Sequence, residues 1–212
     1  MAKHTIVLIP GDGIGPEVTA ATRRVLEAAG LSVEWVELPA GAVAIEQGHD
    51  DVLPKRTLAA IQAHKVALKG PVTTPVGKGF KSVNVQLRKS LNLYAAVRPV
   101  RSLKGVKTRY DNVDIVIIRE NTEGLYSGIE NEVVPGVVTS LKVATEVACT
   151  RIARYAFRYA TRRHRRKINV FHKANIMKLT DGLFLNASRK IQEEEYPNIE
   201  YEETIIDAGC MK

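Results

Sequence analysis

Apolar residues come along this chain in two rhythms. Short, nearly continuous runs such as Thr5-Ile6-Val7-Leu8-Ile9 and Lys65-Val66-Ala67-Leu68-Lys69 read as strands. Between them lie longer segments whose apolar positions recur every three or four residues, as on the buried face of a helix. On this pattern residues 4–10 form a strand, and Pro10 to Glu17 turns into a helix that runs to about Ala29. Gly30 stops that helix, Ser32 to Leu38 is a second strand, and short helices follow near 40–48 and 54–63. After the strand at 65–69, Gly70 to Phe80 is a polar loop with glycine and proline, and a helix begins near Ser82. Further strands are expected at 93–97, 113–118, 168–172 and 199–206, with helices at 142–162 and 180–195. Ser127 to Leu141, rich in valine and broken by Pro135-Gly136, is expected to be a hairpin. Strand, helix and strand at this spacing predict a doubly wound α/β sheet.

Composition narrows this picture. A chain of 212 residues, 45% hydrophobic and 25% charged, suits a globular protein of one large or two small domains. No apolar run reaches the length of a membrane span. Met1-Ala2-Lys3-His4 leads straight into the first strand and is too short for a signal peptide. A cytoplasmic location is therefore expected, or a mitochondrial one for a eukaryotic source. The sequence stops at Asp207-Ala208-Gly209-Cys210-Met211-Lys212, where a helix should start, so the natural protein is expected to continue. Cys149 and Cys210 lack metal-ligand spacing and are expected to stay reduced. Much of the net charge of +8 sits in Arg162-Arg163-His164-Arg165-Arg166-Lys167. That run reads as the solvated last turn of a helix, where cations suit the dipole, and no aromatic pattern accompanies it to suggest nucleic-acid binding. Positive charge can also attract a small polyanionic substrate.

The glycine loop Gly11-x-Gly13-x-Gly15 lies between a strand and a helix, but its spacing is not that of a dinucleotide fingerprint. It reads instead as a tight turn, with Pro16 at a first helical position. The denser chemistry lies between Ser82 and Tyr126. Arg98 and Arg119 each close an apolar strand, where a side chain can emerge at the carboxyl edge of a sheet, and Arg88 follows the short helix that starts with Ser82. Three guanidiniums from separate elements could converge on carboxylates, or could remain independent surface arginines. Tyr126 could reach the same pocket as an acid, or could serve as an amphipathic packing group. Lys173, at the end of another strand, could move a proton if its pKa were lowered. Asp207 ends the last strand, a position suited to a divalent-metal ligand or to a helix cap.

Five stretches, in order, resemble the isocitrate and isopropylmalate dehydrogenase family: Gly11-Asp12-Gly13-Ile14-Gly15-Pro16-Glu17, Ser82-x-Asn84-x-x-Leu87-Arg88, Tyr94-x-x-x-Arg98-Pro99, Arg119-Glu120-Asn121-Thr122-Glu123-Gly124-x-Tyr126-Ser127-Gly128, and His172-Lys173-Ala174-Asn175-Ile176-Met177-Lys178. The resemblance implies an isopropylmalate dehydrogenase-like fold: a doubly wound sheet, a second α/β domain and a protruding hairpin that clasps a partner subunit. Residues 1–98 would then be the N-terminal part of a large domain, and 99–212 a small domain with its clasp near 127–141. It implies that Arg88, Arg98 and Arg119 grip the substrate's carboxylates, and that Tyr126 protonates the enolate left by decarboxylation. Lys173 would help deprotonate the substrate hydroxyl in a neighbouring subunit's site. Asp207 would be the first of three aspartates holding Mg or Mn, and Thr74 and Asn175 would contact NAD, with NADP as the alternative. The other two metal aspartates and most of the adenosine site would lie beyond this sequence, so the chain alone is expected to be inactive.

The implied reaction passes a hydride from the substrate's hydroxyl-bearing carbon to the nicotinamide, loses CO₂ from the β carbon, and returns a proton. Ser82 and Asn84 match the isocitrate pattern, because hydroxyl and amide groups can hydrogen-bond a third carboxylate. An isopropyl group would call for apolar neighbours instead. Homoisocitrate and 3-isopropylmalate remain the alternatives, as does a non-catalytic regulatory subunit. The implied partners are an isocitrate-like tricarboxylate and a second subunit sharing active sites, with neither nucleic acid nor membrane.

Overall fold

Residues 4–73 and 82–211 are described in the structure, a computed structural model. They divide between two compact units, Met1–Asn92 and Leu93–Lys212.

In the first unit, strand β1 (His4–Ile9) is flanked by β2 (Val33–Glu37) and β3 (Ala67–Lys69), both parallel to it, in the order β2-β1-β3. Helix α1 (Gly15–Ala28) starts with Pro16 in its first turn and ends at Gly30, whose φ of +85° only glycine adopts cheaply. Two short helices, α2 (Ala42–Glu46) and α3 (Lys55–His64), precede β3, and α4 (Val83–Ser90) follows it. Val7, Ile9, Leu38, Ala40, Val52, Leu53 and Ile61 form the core, and Val83 and Leu87 of α4 join it. These two side chains stand four residues apart and so lie on one helical face. Burying each contributes roughly 1.5–3 kcal/mol, enough to fix which face α4 turns away from the core.

The second unit begins with an antiparallel pair, β4 (Ala95–Arg101) and β5 (Asp114–Glu120). The domain boundary expected at residue 98 falls inside β4, which pairs with β5 along its whole length. The hairpin of β6 (Gly124–Val134) and β7 (Val137–Val143) turns at Pro135-Gly136, Gly136 having φ +84°. It reaches slightly further than expected at both ends. Helix α5 (Glu146–Arg162) correspondingly starts later than 142, because Thr145 caps it by accepting the backbone N–H of Ala148 at 3.2 Å. The parallel strands β8 (Lys167–His172) and β9 (Glu200–Ile205) are linked by α6 (Thr180–Glu195), and α7 (Ile206–Met211) follows. Ala153, Phe157 and Ala160 of α5 pack with Ile191 and Ile199 into this unit's core.

The basic run after α5 is largely occupied within the unit. Arg165 bonds Asp114 at 2.6 Å, Arg163 lies 5.8 Å from the Tyr159 ring centroid, and Lys167 pairs with Glu200 and Glu202.

Candidate active site

The glycine loop closes by backbone packing. A Cβ on Gly11 would sit 1.7 Å from the Pro71 carbonyl oxygen, and one on Gly15 would sit 2.4 Å from that of Pro10. Asp12 accepts the backbone N–H groups of Ala42 and Thr73, so it clamps two further loops to this turn. Its neighbours are those of a structural junction, in keeping with the tight-turn reading of its spacing.

Ser82, Asn84 and Arg88 are all half-buried on or beside α4. Ser82 stands immediately before the helix without capping it by its side chain. Val83, between Ser82 and Asn84, is wholly buried in the core, so its apolar character says nothing about the substrate. Lys69, at the end of β3, donates to the Gly70 carbonyl at 2.7 Å. Burial pushes its pKa down, the Arg88 guanidinium adds to that, and Asp12 opposes it. Thr74 lies outside the described residues.

The other expected site residues belong to the second unit. Ladder register pairs Arg98 with Ile117 and Ala96 with Arg119. Side chains two residues apart on a strand share a face, so Arg98 and Arg119 are diagonal neighbours on one face of the β4–β5 pair. Such neighbours lie roughly 7–8 Å apart, within reach of long side chains. The Arg119 guanidinium stands 4.8 Å from the Tyr126 ring centroid, and Tyr126, at the start of β6, keeps 39% of its surface exposed. A cation over that face orients the ring while leaving the arginine charged.

Lys173 and Asp207 form the second grouping. Register places His172 beside Ile205, so both residues emerge just past the carboxyl ends of adjacent parallel strands. The Lys173 ammonium meets Asp207 Oδ2 at 2.7 Å. That bond, followed by bonds from its own and the next backbone N–H, holds the Asp207 carboxyl below the usual range. Asn175 sits in the exposed turn two residues after Lys173. Asp207 offers the hard oxygen donor that Mg or Mn prefers. Among the described residues, however, no group of three or more His, Cys, Asp or Glu could hold a metal ion.

Other polar residues organise these groupings and were not singled out by sequence. Glu120 accepts the backbone N–H groups of Thr122 and Glu123, each at 2.8 Å, and the Thr122 hydroxyl. Arg151 of α5 reaches Glu120 at 3.3 Å and Thr122 at 2.6 Å, and lies 4.7 Å from the Tyr94 ring centroid. Glu123 accepts both the backbone N–H and the hydroxyl of Thr145, at 2.8 and 2.7 Å, tying the loop to the start of α5. Within the stretch from Arg119 to Tyr126, then, the acids brace the loop while the arginine and tyrosine face outward. Alternation along β5 was the available signal, since it sends Arg119 and Glu120 to opposite faces.

Arg98 lies in the middle of β4 rather than at the strand end expected for it, Arg119 is the next-to-last residue of β5, and Lys173 and Asp207 stand just past the ends of β8 and β9. The sequence profile described as isocitrate/isopropylmalate dehydrogenase matches residues 5–212, and the chain belongs to that family. It is 52% identical over 207 residues to the Arabidopsis thaliana protein named mitochondrial isocitrate dehydrogenase [NAD] catalytic subunit 5, covering 98% of this chain and 55% of that one. It is 50% identical over 204 residues to a chloroplastic 3-isopropylmalate dehydrogenase of Solanum tuberosum, covering 96% of this chain and 57% of the other. The crystal structure of isocitrate dehydrogenase from Methylococcus capsulatus superposes with a TM-score of 0.92 at 49% identity, covering 98% of this chain and 62% of that chain. The chain thus spans little more than half the length of the curated relatives it matches. These names also overturn the cytoplasmic expectation, since the NAD-linked isocitrate dehydrogenase relative is mitochondrial. That expectation rested on where the given sequence begins, which carries no information about compartment.

Proposed function

We propose that the whole protein oxidatively decarboxylates isocitrate to 2-oxoglutarate and CO₂, passing the hydride to NAD. The observation that carries this reading is the face of the β4–β5 pair shared by Arg98 and Arg119, with the Arg119 guanidinium set over the ring of the phenol Tyr126. The two guanidiniums grip carboxylates without taking part in proton traffic, and Arg88 is assigned the same kind of role. Tyr126 returns the proton that replaces the lost carboxyl, and Lys173 assists removal of the hydroxyl proton. Asn175 and Thr74 contact the cofactor, for which NADP is the alternative. Asp207 supplies one oxygen ligand to Mg or Mn, and the cation when bound polarises the substrate's carbonyl.

In the same reading the first unit is the N-terminal part of a large, doubly wound domain and the second unit a small α/β domain. The β6–β7 hairpin, with Val133, Val134, Val137 and Val138 exposed, is a clasp that buries these side chains against a second subunit sharing its sites. The 50% identity to a 3-isopropylmalate dehydrogenase favours a second reading with that substrate. Ser82 and Asn84 weigh against it, because both would be left without partners beside an isopropyl group.

The test is turnover of the whole protein with isocitrate, homoisocitrate and 3-isopropylmalate, each with NAD and NADP and with Mg. Isocitrate with NAD should be fastest, and Tyr126→Phe should lower kcat by about a hundredfold or more. Fastest turnover of 3-isopropylmalate overturns the substrate, and full activity of Tyr126→Phe overturns the role of the phenol.

A further inference from the structure

The turn that carries Lys173 is held by a carboxylate to which the proposed reaction gives no task. Asp181, the second residue of α6, is only 8% exposed. Its Oδ2 accepts the backbone N–H of Lys173 at 2.7 Å. Its Oδ1 accepts the ammonium of Lys142, which comes from the end of β7, with the Thr180 hydroxyl at 3.4 Å. The carbonyl of Lys173 accepts the N–H groups of Ile176 and Met177, at 3.0 and 2.8 Å. Met177 in turn accepts the N–H of Asp181 at 3.0 Å through its own carbonyl. The peptide groups on both sides of Lys173 are therefore tied down, and its side chain leaves this frame toward Asp207 at 2.7 Å.

The arrangement demands two acceptors on one side chain. A charged carboxylate can face a backbone N–H and an ammonium at once, whereas an amide offers one oxygen and turns an NH₂ toward the other donor. Burial raises the Asp181 pKa, but the bonds from Lys142 and from the Lys173 N–H outweigh it and leave the group ionised.

We propose that Asp181 is a positioning residue: it fixes the backbone of Lys173 so that the ammonium is delivered beside Asp207, and Lys142 supplies the charge that keeps this carboxylate in place. The inference rests on the reading of Lys173 as the group that assists proton removal. Small displacements of a reacting group cost rate more than binding, so the loss should fall on kcat.

The experiment is isocitrate turnover by the whole protein, with rates counted per folded protein from the circular dichroism of each variant. Asp181→Ala should lower kcat by about a hundredfold with little change in KM. Asp181→Asn should lower it by about tenfold, its amide being torn between the N–H and the ammonium. Adding Lys142→Met should restore Asp181→Asn to the level of Lys142→Met alone, since the amide oxygen can then serve the Lys173 N–H unopposed. The same addition should leave Asp181→Ala impaired, because no acceptor remains. Equal recovery of both double variants overturns the proposal, as the loss would then come from an unpaired Lys142. Unchanged kcat in Asp181→Ala also overturns it. Lys173→Met separates the two levels: if it keeps full kcat, the reading of Lys173 is wrong. If it loses kcat while Asp181→Ala does not, only the positioning role fails.

Discussion

Asp12 and Asp181 each hold the chain just beyond the end of a parallel strand, one in each unit, yet they hold different things. Asp12 accepts two backbone N–H groups, those of Ala42 and Thr73, and Gly11 and Gly15 on either side of it are pressed against the carbonyls of Pro71 and Pro10. Asp181 accepts one backbone N–H and one ammonium, beside a lysine whose own charge points at another carboxylate. A polar residue at the carboxyl edge of a sheet is thus not by its position a chemical group. The first junction fixes backbone against backbone, and the second places charge.

The sharpest way to break this contrast is at Gly11. Its φ of +81° and the 1.7 Å approach of a Cβ to the Pro71 oxygen leave no relaxed conformation for alanine. Gly11→Ala should destabilise the protein by about 3 kcal/mol or more, read as a collapse of the thermal midpoint or of soluble yield. A midpoint near that of the parent would mean that the junction is soft and that its glycines serve something other than packing.

Asp12→Ala comes next. It removes the acceptor for two backbone donors, and bonds to a charged acceptor contribute about 1.5–3 kcal/mol each when only one partner is lost. Water reaches the Thr73 side, so a net loss of about 2 kcal/mol in urea unfolding is expected. Gly13→Ala is the milder counterpart, because its φ is +59° but nothing lies within 4 Å of the added methyl. It should lose about 1 kcal/mol, the cost of a left-handed residue alone.

At the second junction the expected signature is acid sensitivity. Asp181 is held below the ordinary carboxylate range, so its contribution is present above the unfolded pKa and is lost as pH falls through the folded one. The difference in thermal midpoint between the parent and Asp181→Asn should therefore be full at neutral pH and shrink below about pH 4. A difference that stays constant to pH 3 would show that packing, not the ionised carboxylate, matters there.

What the sequence revealed of this contrast follows the range of the interactions. Elements written in local periodicity came out close to their places, including the hairpin around Pro135-Gly136 and the helix stop at Gly30. Helix α5 begins at Glu146 rather than at the expected 142, because Lys142-Val143-Ala144 fits either a strand or a helix and only the Thr145 cap decides. Arg119 and Tyr126 lie seven residues apart, so their meeting was suggested by sequence alone. Pairing Lys173 with Asp207 needs the register of β8 against β9, and the Lys142–Asp181 and Arg151–Glu120 bonds span 39 and 31 residues. Nothing in a local pattern carries such contacts. A family resemblance names residues that touch substrate more readily than those that hold them.

The smallest effect concerns Cys149, which lies near the carboxylates of the second unit. Burial first, and then the negative charges of Glu123, Glu120 and Asp181, push its thiol up to about 11. At pH 8 a thiol with that pKa is ionised to roughly one part in a thousand, and the thiolate is the reactive form. Alkylation of Cys149 by iodoacetamide, followed by peptide mass spectrometry, should accelerate at least a hundredfold on transfer to urea, where the ordinary pKa and full access return. Asp181→Asn should barely change the native rate, because it removes only one of the lesser contributions while burial persists. A large native acceleration in that variant would mean instead that losing Asp181 opens the packing around α5. Its influence would then extend beyond Lys173, and the line between a placing carboxylate and a fold-holding one would have to be redrawn.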